Sequence, residues 1–187
     1  SADGTMRLWD LRDGDCMDAF DEYKSPVTAL AMDSSGQLAV TGGQDGSLRV
    51  WDVGGHRCTH VMQGHQGTIT SLSLGEDGRY ALSASADGTL KIWRPAAGQL
   101  VSTCTGHQGP ILAASMSAAG RFPISGSRDK TVRLWEAATG RCITTFVGHD
   151  GPVSAVCLSN DGKFAMSGGH DRTVRIWHAG LPGDEET

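Results

Sequence analysis

A chain of 187 residues with 39% hydrophobic content is long enough to bury a core and is not composed like a disordered segment. Its 26 glycines against 6 prolines argue against a helical bundle and favour short strands joined by tight turns. Sixteen basic and 21 acidic residues leave a net charge of -5 without a basic run, which argues against a nucleic-acid partner.

The longest apolar stretches are a few residues, short of the roughly 18 to 20 that a membrane helix needs, and no signal segment opens the chain. The expectation is a soluble, intracellular chain, cytoplasmic or nuclear, without a membrane partner. Cys16, Cys58, Cys104, Cys142 and Cys157 are odd in number and form no C-x-x-C pair, so reduced thiols are expected rather than disulfides or a zinc site.

One period organises the chain. Trp9, Trp51, Trp93, Trp135 and Trp177 stand 42 residues apart, each six residues after Asp3, Asp45, Asp87, Asp129 or Asp171. In chain order, 1–20 holds the last two strands of a partial repeat, 21–62, 63–104 and 105–146 are complete repeats, and 147–178 is partial. Residues 179–187 end acidic and poor in apolar side chains, as a frayed tail.

The segments within a period alternate apolar with polar, as half-buried strands do. In the third period Ile69, Leu72 and Leu74 mark a first strand and Tyr80 to Ala84 a second. Leu90, Ile92 and Trp93 mark a third, and Gln99 to Cys104 a fourth. Gly78, Asp87-Gly88 and Gly98 supply the turns, Asp-Gly being a strong hairpin signal. Gly36, Gly120 and Gly162 keep the first of these turns in the other periods. Pro123 replaces Ala39, Ala81 and Ala165 in a predicted inner strand, where a lost ladder donor predicts a bulge or a shifted strand boundary. Counted through, the chain holds 17 strands. A four-stranded sheet this small cannot bury both faces alone, so successive sheets must stack, and radial stacking is the known solution.

Gly64-His65, Gly106-His107 and Gly148-His149, a serine four residues before each Asp, and the Trp six after it together resemble the WD40 repeat. The resemblance covers essentially the whole chain. The residue after Trp is Asp only at Asp10 and Asp52, with Arg94, Glu136 and His178 in the later copies. The implied fold is an all-β WD40 β-propeller, here an incomplete arc of about four to five four-stranded blades. A closed four-bladed ring would leave Trp9 and Trp177 competing for one slot, so an open arc from a larger propeller is expected. Open edges carry an association liability, and self-association is expected, which light scattering reads directly.

Each later repeat contains a His, a Ser and an Asp, which invites a hydrolase reading. A catalytic constellation is normally single, whereas this one recurs at one spacing and always with a Trp. The resemblance implies hydrogen-bonded tetrads: His65, Ser83, Asp87 and Trp93; His107, Ser125, Asp129 and Trp135; His149, Ser167, Asp171 and Trp177. The second copy has Glu22-Tyr23 in the Gly-His place and keeps the partial set Thr41, Asp45 and Trp51, which makes it the weakest expected tetrad. Cys16, Cys58 and Cys142 fall on the period as small packed side chains, and the glycine-rich turns lack the context of a phosphate loop. No catalytic residue, cofactor or metal is expected.

The family implies a scaffold that binds peptides or domains on one propeller face. Its contact positions map onto Pro26, Thr28 and Gln44; Thr68, Thr70 and Ala86; Pro110, Leu112 and Arg128; Pro152, Ser154 and His170. Arg128 and His170 are the strongest candidates, because a charge or imidazole there can anchor an acidic group. The alternative is a recruitment or regulatory arm of a larger protein whose enzymatic domain lies outside this chain.

Overall fold

Each period folds as an antiparallel meander because short apolar runs alternate with Gly- and Asp-containing turns. The computed structural model describes residues 1–20, 24–117, 120–159 and 162–179, and contains 17 strands there in five antiparallel sheets. The first sheet pairs β1 (Met6–Trp9) with β2 (Cys16–Phe20). The second contains β3 (Val27–Met32), β4 (Leu38–Gly43), β5 (Leu48–Asp52) and β6 (Arg57–Met62). The third contains β7 (Ile69–Leu74), β8 (Ala81–Ser85), β9 (Leu90–Arg94) and β10 (Gln99–Cys104). The fourth contains β11 (Ile111–Met116), β12 (Pro123–Ser127), β13 (Thr131–Trp135) and β14 (Cys142–Val147). The fifth has three strands, β15 (Val153–Leu158), β16 (Phe164–Gly169) and β17 (Val174–His178).

The sheets stack face to face, and the core is the set of layers between neighbours. Trp93 packs with Ile69 and Ala81 of its own sheet against Val40, Leu48, Val50 and Met62 of the preceding one. Trp135 meets Leu82, Leu90 and Ile92 in the same way, and Trp51 meets Met6 and Phe20. First strands lie beside first strands: β3 against β7, β7 against β11, and β11 against β15.

Position in the stack decides which tryptophans are buried. Trp51 and Trp135 are 0% exposed, whereas Trp9, on the two-stranded first sheet, is 49% exposed. At the other end Val174 and Ile176 of β17 are each 69% exposed.

Several sequence-based expectations need correction. Strands β8 and β12 do not alternate but are buried at every residue, because neighbouring sheets cover both their faces. Of the two outcomes expected at Pro123 the structure shows the second: there is no bulge, and the strand boundary is shifted so that Pro123 is the first residue of β12, where its missing N–H is tolerated. The consequence appears on the other side, since Ala39, Ala81 and Ala165 each pair with their tryptophan while β12 begins pairing with β13 only at Ile124. Cys16 is exposed and Cys58 and Cys142 are half-buried, each sitting opposite a Trp at a bulge in the outer strand pair. Ala179, expected as the first residue of the tail, is buried and its N–H donates to Lys163 O; the remainder of that segment lies outside the described residues.

The turn after each repeating Asp requires a left-handed residue. Gly46 and Gly88 supply it with φ of 77° and 82°, whereas Lys130 and Arg172 take φ of 71° and 65° in the later sheets. A side chain there is strained by about 1–2 kcal/mol, against which the greater freedom of unfolded glycine sets about 0.5–1 kcal/mol. Lys130→Gly is therefore expected to stabilise the chain by about 0.5–1 kcal/mol, read as a rise in the urea midpoint; a fall would contradict the strain.

Candidate functional site

The hydrogen-bonded sets join four pieces of chain. In the third sheet Trp93 Nε1–H donates to Ser83 Oγ at 2.8 Å, and Ser83 Oγ lies 2.8 Å from His65 Nε2. His65 Nδ1 lies 2.9 Å from Asp87 Oδ2. The fourth sheet repeats this with Trp135, Ser125, His107 and Asp129 at 2.8, 2.8 and 2.7 Å. The fifth does so with Trp177, Ser167, His149 and Asp171 at 2.8, 2.7 and 2.7 Å. In the second sheet Trp51 Nε1–H donates to Thr41 Oγ1 at 2.8 Å, while Glu22 and Tyr23 lie outside the described residues.

Donor and acceptor roles follow from the geometry. The ionised carboxylate only accepts, so Nδ1–H donates to it; in a neutral imidazole this leaves Nε2 to accept the serine proton, while the serine oxygen accepts from the indole. The loop glycine before each histidine makes room for this packing: a Cβ on Gly106 would stand 2.7 Å from Arg133 Nη1 and 3.6 Å from the Trp135 ring.

Two further members of the network went unnoticed in the sequence although both keep the 42-residue period. Thr89, Thr131 and Thr173, two residues after the Asp, donate from Oγ1 to the other carboxylate oxygen at 2.7, 2.7 and 2.8 Å; Thr5 and Ser47 do the same for Asp3 and Asp45. A cation recurs at Arg49, Lys91, Arg133 and Arg175, paired across the strands with Thr41, Ser83, Ser125 and Ser167.

The electrostatics favour a neutral imidazole beside an ionised carboxylate. Burial is the main cause that pushes the His65 and His107 pKa below the usual value, and Lys91 and Arg133 push the same way, against the raising effect of the aspartates. Asp87 and Asp129 are held at about 2: burial raises them, but backbone N–H groups, the threonine hydroxyls and the imidazoles outweigh it. Asp171 is likewise lowered. A hydrolytic serine would need an accessible Oγ, yet Ser83 and Ser125 are 0% exposed with both roles of the hydroxyl already used. Among the described residues no group of three or more His, Cys, Asp or Glu could hold a metal ion, and no helix is long and apolar enough to cross a membrane.

The outward-facing candidates gather at the Asp-turn end of the strands. Gln44, Ala86, Arg128 and His170 are exposed, and each donates its backbone N–H to the start of the adjacent first strand, at Pro26, Thr68, Pro110 and Pro152, over 2.8–2.9 Å. Thr28, Thr70, Leu112 and Ser154 are the extra residues of a bulge that recurs in every first strand. Two of these side chains make hydrogen bonds to the next sheet. Thr28 Oγ1 donates to Ile69 O at 2.6 Å and Thr70 Oγ1 to Ile111 O at 2.8 Å, fastening each sheet to the next. Thr70 is thus a seam residue, and Thr68 is engaged with Gln44 O at 3.3 Å. Leu112 is half-buried and Ser154 exposed.

Truncating Trp93 removes an aromatic packed between two sheets and strands the Ser83 network. Trp93→Ala is expected to lose about 3–5 kcal/mol, and a near-unchanged melting midpoint would reject the role of the tetrad. Stability should also depend on pH in two stages. Groups with lowered folded-state pKa bind protons more readily when unfolded, so they stabilise the fold above their unfolded pKa and lose that contribution on acidification. His65 and His107 act as pH falls through 6.5, and the aspartates as it falls from 3.8 towards 2. Urea midpoints that stay flat between pH 7 and pH 5 would contradict the histidine stage.

Comparison with known families gives a match to the WD domain, G-beta repeat, over residues 14–52, 56–94, 98–136 and 140–178. A search of curated proteins finds no match. Each matched segment runs from the fourth strand of one sheet through the third strand of the next, so one sequence repeat laces two sheets together. Domains of this kind are typically non-catalytic and serve as protein-interaction scaffolds. The chain belongs to the WD40 repeat family.

Proposed function

We infer that this chain works as a protein-interaction scaffold, presenting the Asp-turn end of its sheets to peptides or domains. One observation carries the reading: the backbone at the residue before each repeating Asp is held by the same hydrogen bond in four sheets, while the side chain changes from Gln44 to Ala86, Arg128 and His170. A constant frame with variable exposed side chains suits recognition rather than folding. Arg128 is exposed beside Lys130, and His170 beside Arg172, so the fourth and fifth sheets offer cations in an otherwise acidic chain. An acidic segment of a partner is the complementary ligand. Gln44, Thr68, Leu112 and Ser154 would border it. The same surface would serve a recruitment arm of a larger protein, the alternative reading.

The test uses a fluorescein-labelled peptide of alternating Glu and Ser and reads anisotropy. Arg128→Ala should weaken binding about tenfold or more, since a charged hydrogen bond contributes about 1.5–3 kcal/mol and 1.4 kcal/mol is a factor of ten. Raised salt should weaken it further. Equal binding by the wild type and the variant would overturn this assignment.

A further inference from the structure

A second candidate surface lies at the opposite end of the strands from the Asp turns and is independent of the reading above. A cleft of about 350 Å3 opens between the third and fourth sheets. Tyr80, Arg94 and Val101 line it from one side, and Arg121, Phe122 and Glu136 from the other. The Arg94 guanidinium lies 5.9 Å from the centre of the Tyr80 ring, and that of Arg121 lies 5.4 Å from the Phe122 ring. Stacking of this kind restrains a guanidinium while leaving its N–H fork free to bind. Among the described residues neither arginine side chain makes a hydrogen bond or a close ion pair. The facing acid, Glu136, accepts from Thr139 Oγ1 at 2.6 Å and approaches Arg141 at 3.6 Å; its carboxyl is held below the usual range by the Thr139 hydrogen bond first and by the charges of Arg141 and Arg121 as well, so it offsets one of the two cleft cations. The seam is closed beneath by Ser102 Oγ, which donates to Ala137 O at 2.5 Å.

The repeat makes this cleft unusual. The residue that follows each Trp stands at one side of a seam, and the residue after the turn glycine that leads into the second strand of the next sheet stands at the other. Read along the chain, these positions hold Asp10 with Gln37, Asp52 with Arg79, Arg94 with Arg121, and Glu136 with Lys163. Three seams place an acid there, and one places two cations. Like charges lining one cleft are unfavourable unless an anion joins them. Two guanidiniums and one carboxylate leave a single positive charge, which matches one carboxylate better than a phosphate dianion. The rings and Val101 suit an apolar group next to it.

We propose that this cleft binds a single carboxylate carried beside an apolar side chain, supplied by the C-terminus of a polypeptide or by an acidic residue within one. The probes are three fluorescein-labelled pentapeptides: one ending in Leu-Leu with a free C-terminus, its C-terminal amide, and an amide with an internal Glu next to Leu. Saturable binding is expected for one or both of the carboxylate-bearing peptides and not for the neutral amide, and which of them binds identifies the source. Arg94→Gln and Arg121→Gln should each weaken that binding about tenfold or more without moving the melting midpoint, because both side chains are exposed. Arg79→Gln removes the same charge one repeat away and should leave binding unchanged. Equal binding of the neutral amide, insensitivity to both cleft variants, or displacement by inorganic phosphate at lower concentration than by acetate would overturn the proposal.

Discussion

A buried indole N–H must be given an acceptor, and the way this chain supplies one determines much else in the structure. The tryptophan sits between two sheets because only there is enough apolar surface to cover it, but that position removes its N–H from water. The acceptor is a hydroxyl on the neighbouring strand of the same sheet, which then needs an outlet for its own proton. The imidazole provides that outlet from the loop entering the sheet, and the aspartate fixes the imidazole from the next turn. One requirement for hydrogen-bond satisfaction thereby positions an inner strand, an outer strand, a loop and a turn.

The repeating residues and the non-repeating ones have different duties. Tryptophan, hydroxyl, imidazole, carboxylate, threonine and cation recur on one step and face inward or across the strands. The residue before the Asp and the residue after the Trp lie outside this network and vary in charge from sheet to sheet. In a protein made of copies, chemical individuality can reside only where the copies differ. Both candidate binding surfaces are places of that kind, one at each end of the strands.

Much of the architecture was legible from the spacing of five tryptophans, because a 42-residue period allows few ways to bury a four-stranded sheet. The strand limits of the third period were readable to within one residue, since glycine and Asp-Gly mark its turns: the second strand is Ala81–Ser85 where Tyr80 to Ala84 was expected. Other features depend on packing between sheets, which a single period does not display. The complete burial of β8 and β12 comes from neighbours on both faces, so their sequences give no alternation to read. The bulge at Thr70 arises where the first strand meets the next sheet, and it gives the Thr70 hydroxyl a seam bond that one period does not display. Pro123 was misplaced by one position relative to the strand start, a distance that local propensity does not resolve. The threonines after each Asp and the cations opposite each hydroxyl are visible as periodic positions, but periodicity alone does not show which carboxylate oxygen or hydroxyl each one faces.

The seam bonds also bear on how the stack comes apart. A hydroxyl fastens the second sheet to the third through Thr28 and the third to the fourth through Thr70. At the corresponding position before the fifth sheet stands Leu112, whose side chain has no donor. The two end sheets, of two and three strands among the described residues, each have a single neighbour, so the end layers are the weakest boundaries in an array stabilised by nearest neighbours. Opening begins there and proceeds inward, with the three complete sheets persisting as the most durable cooperative unit.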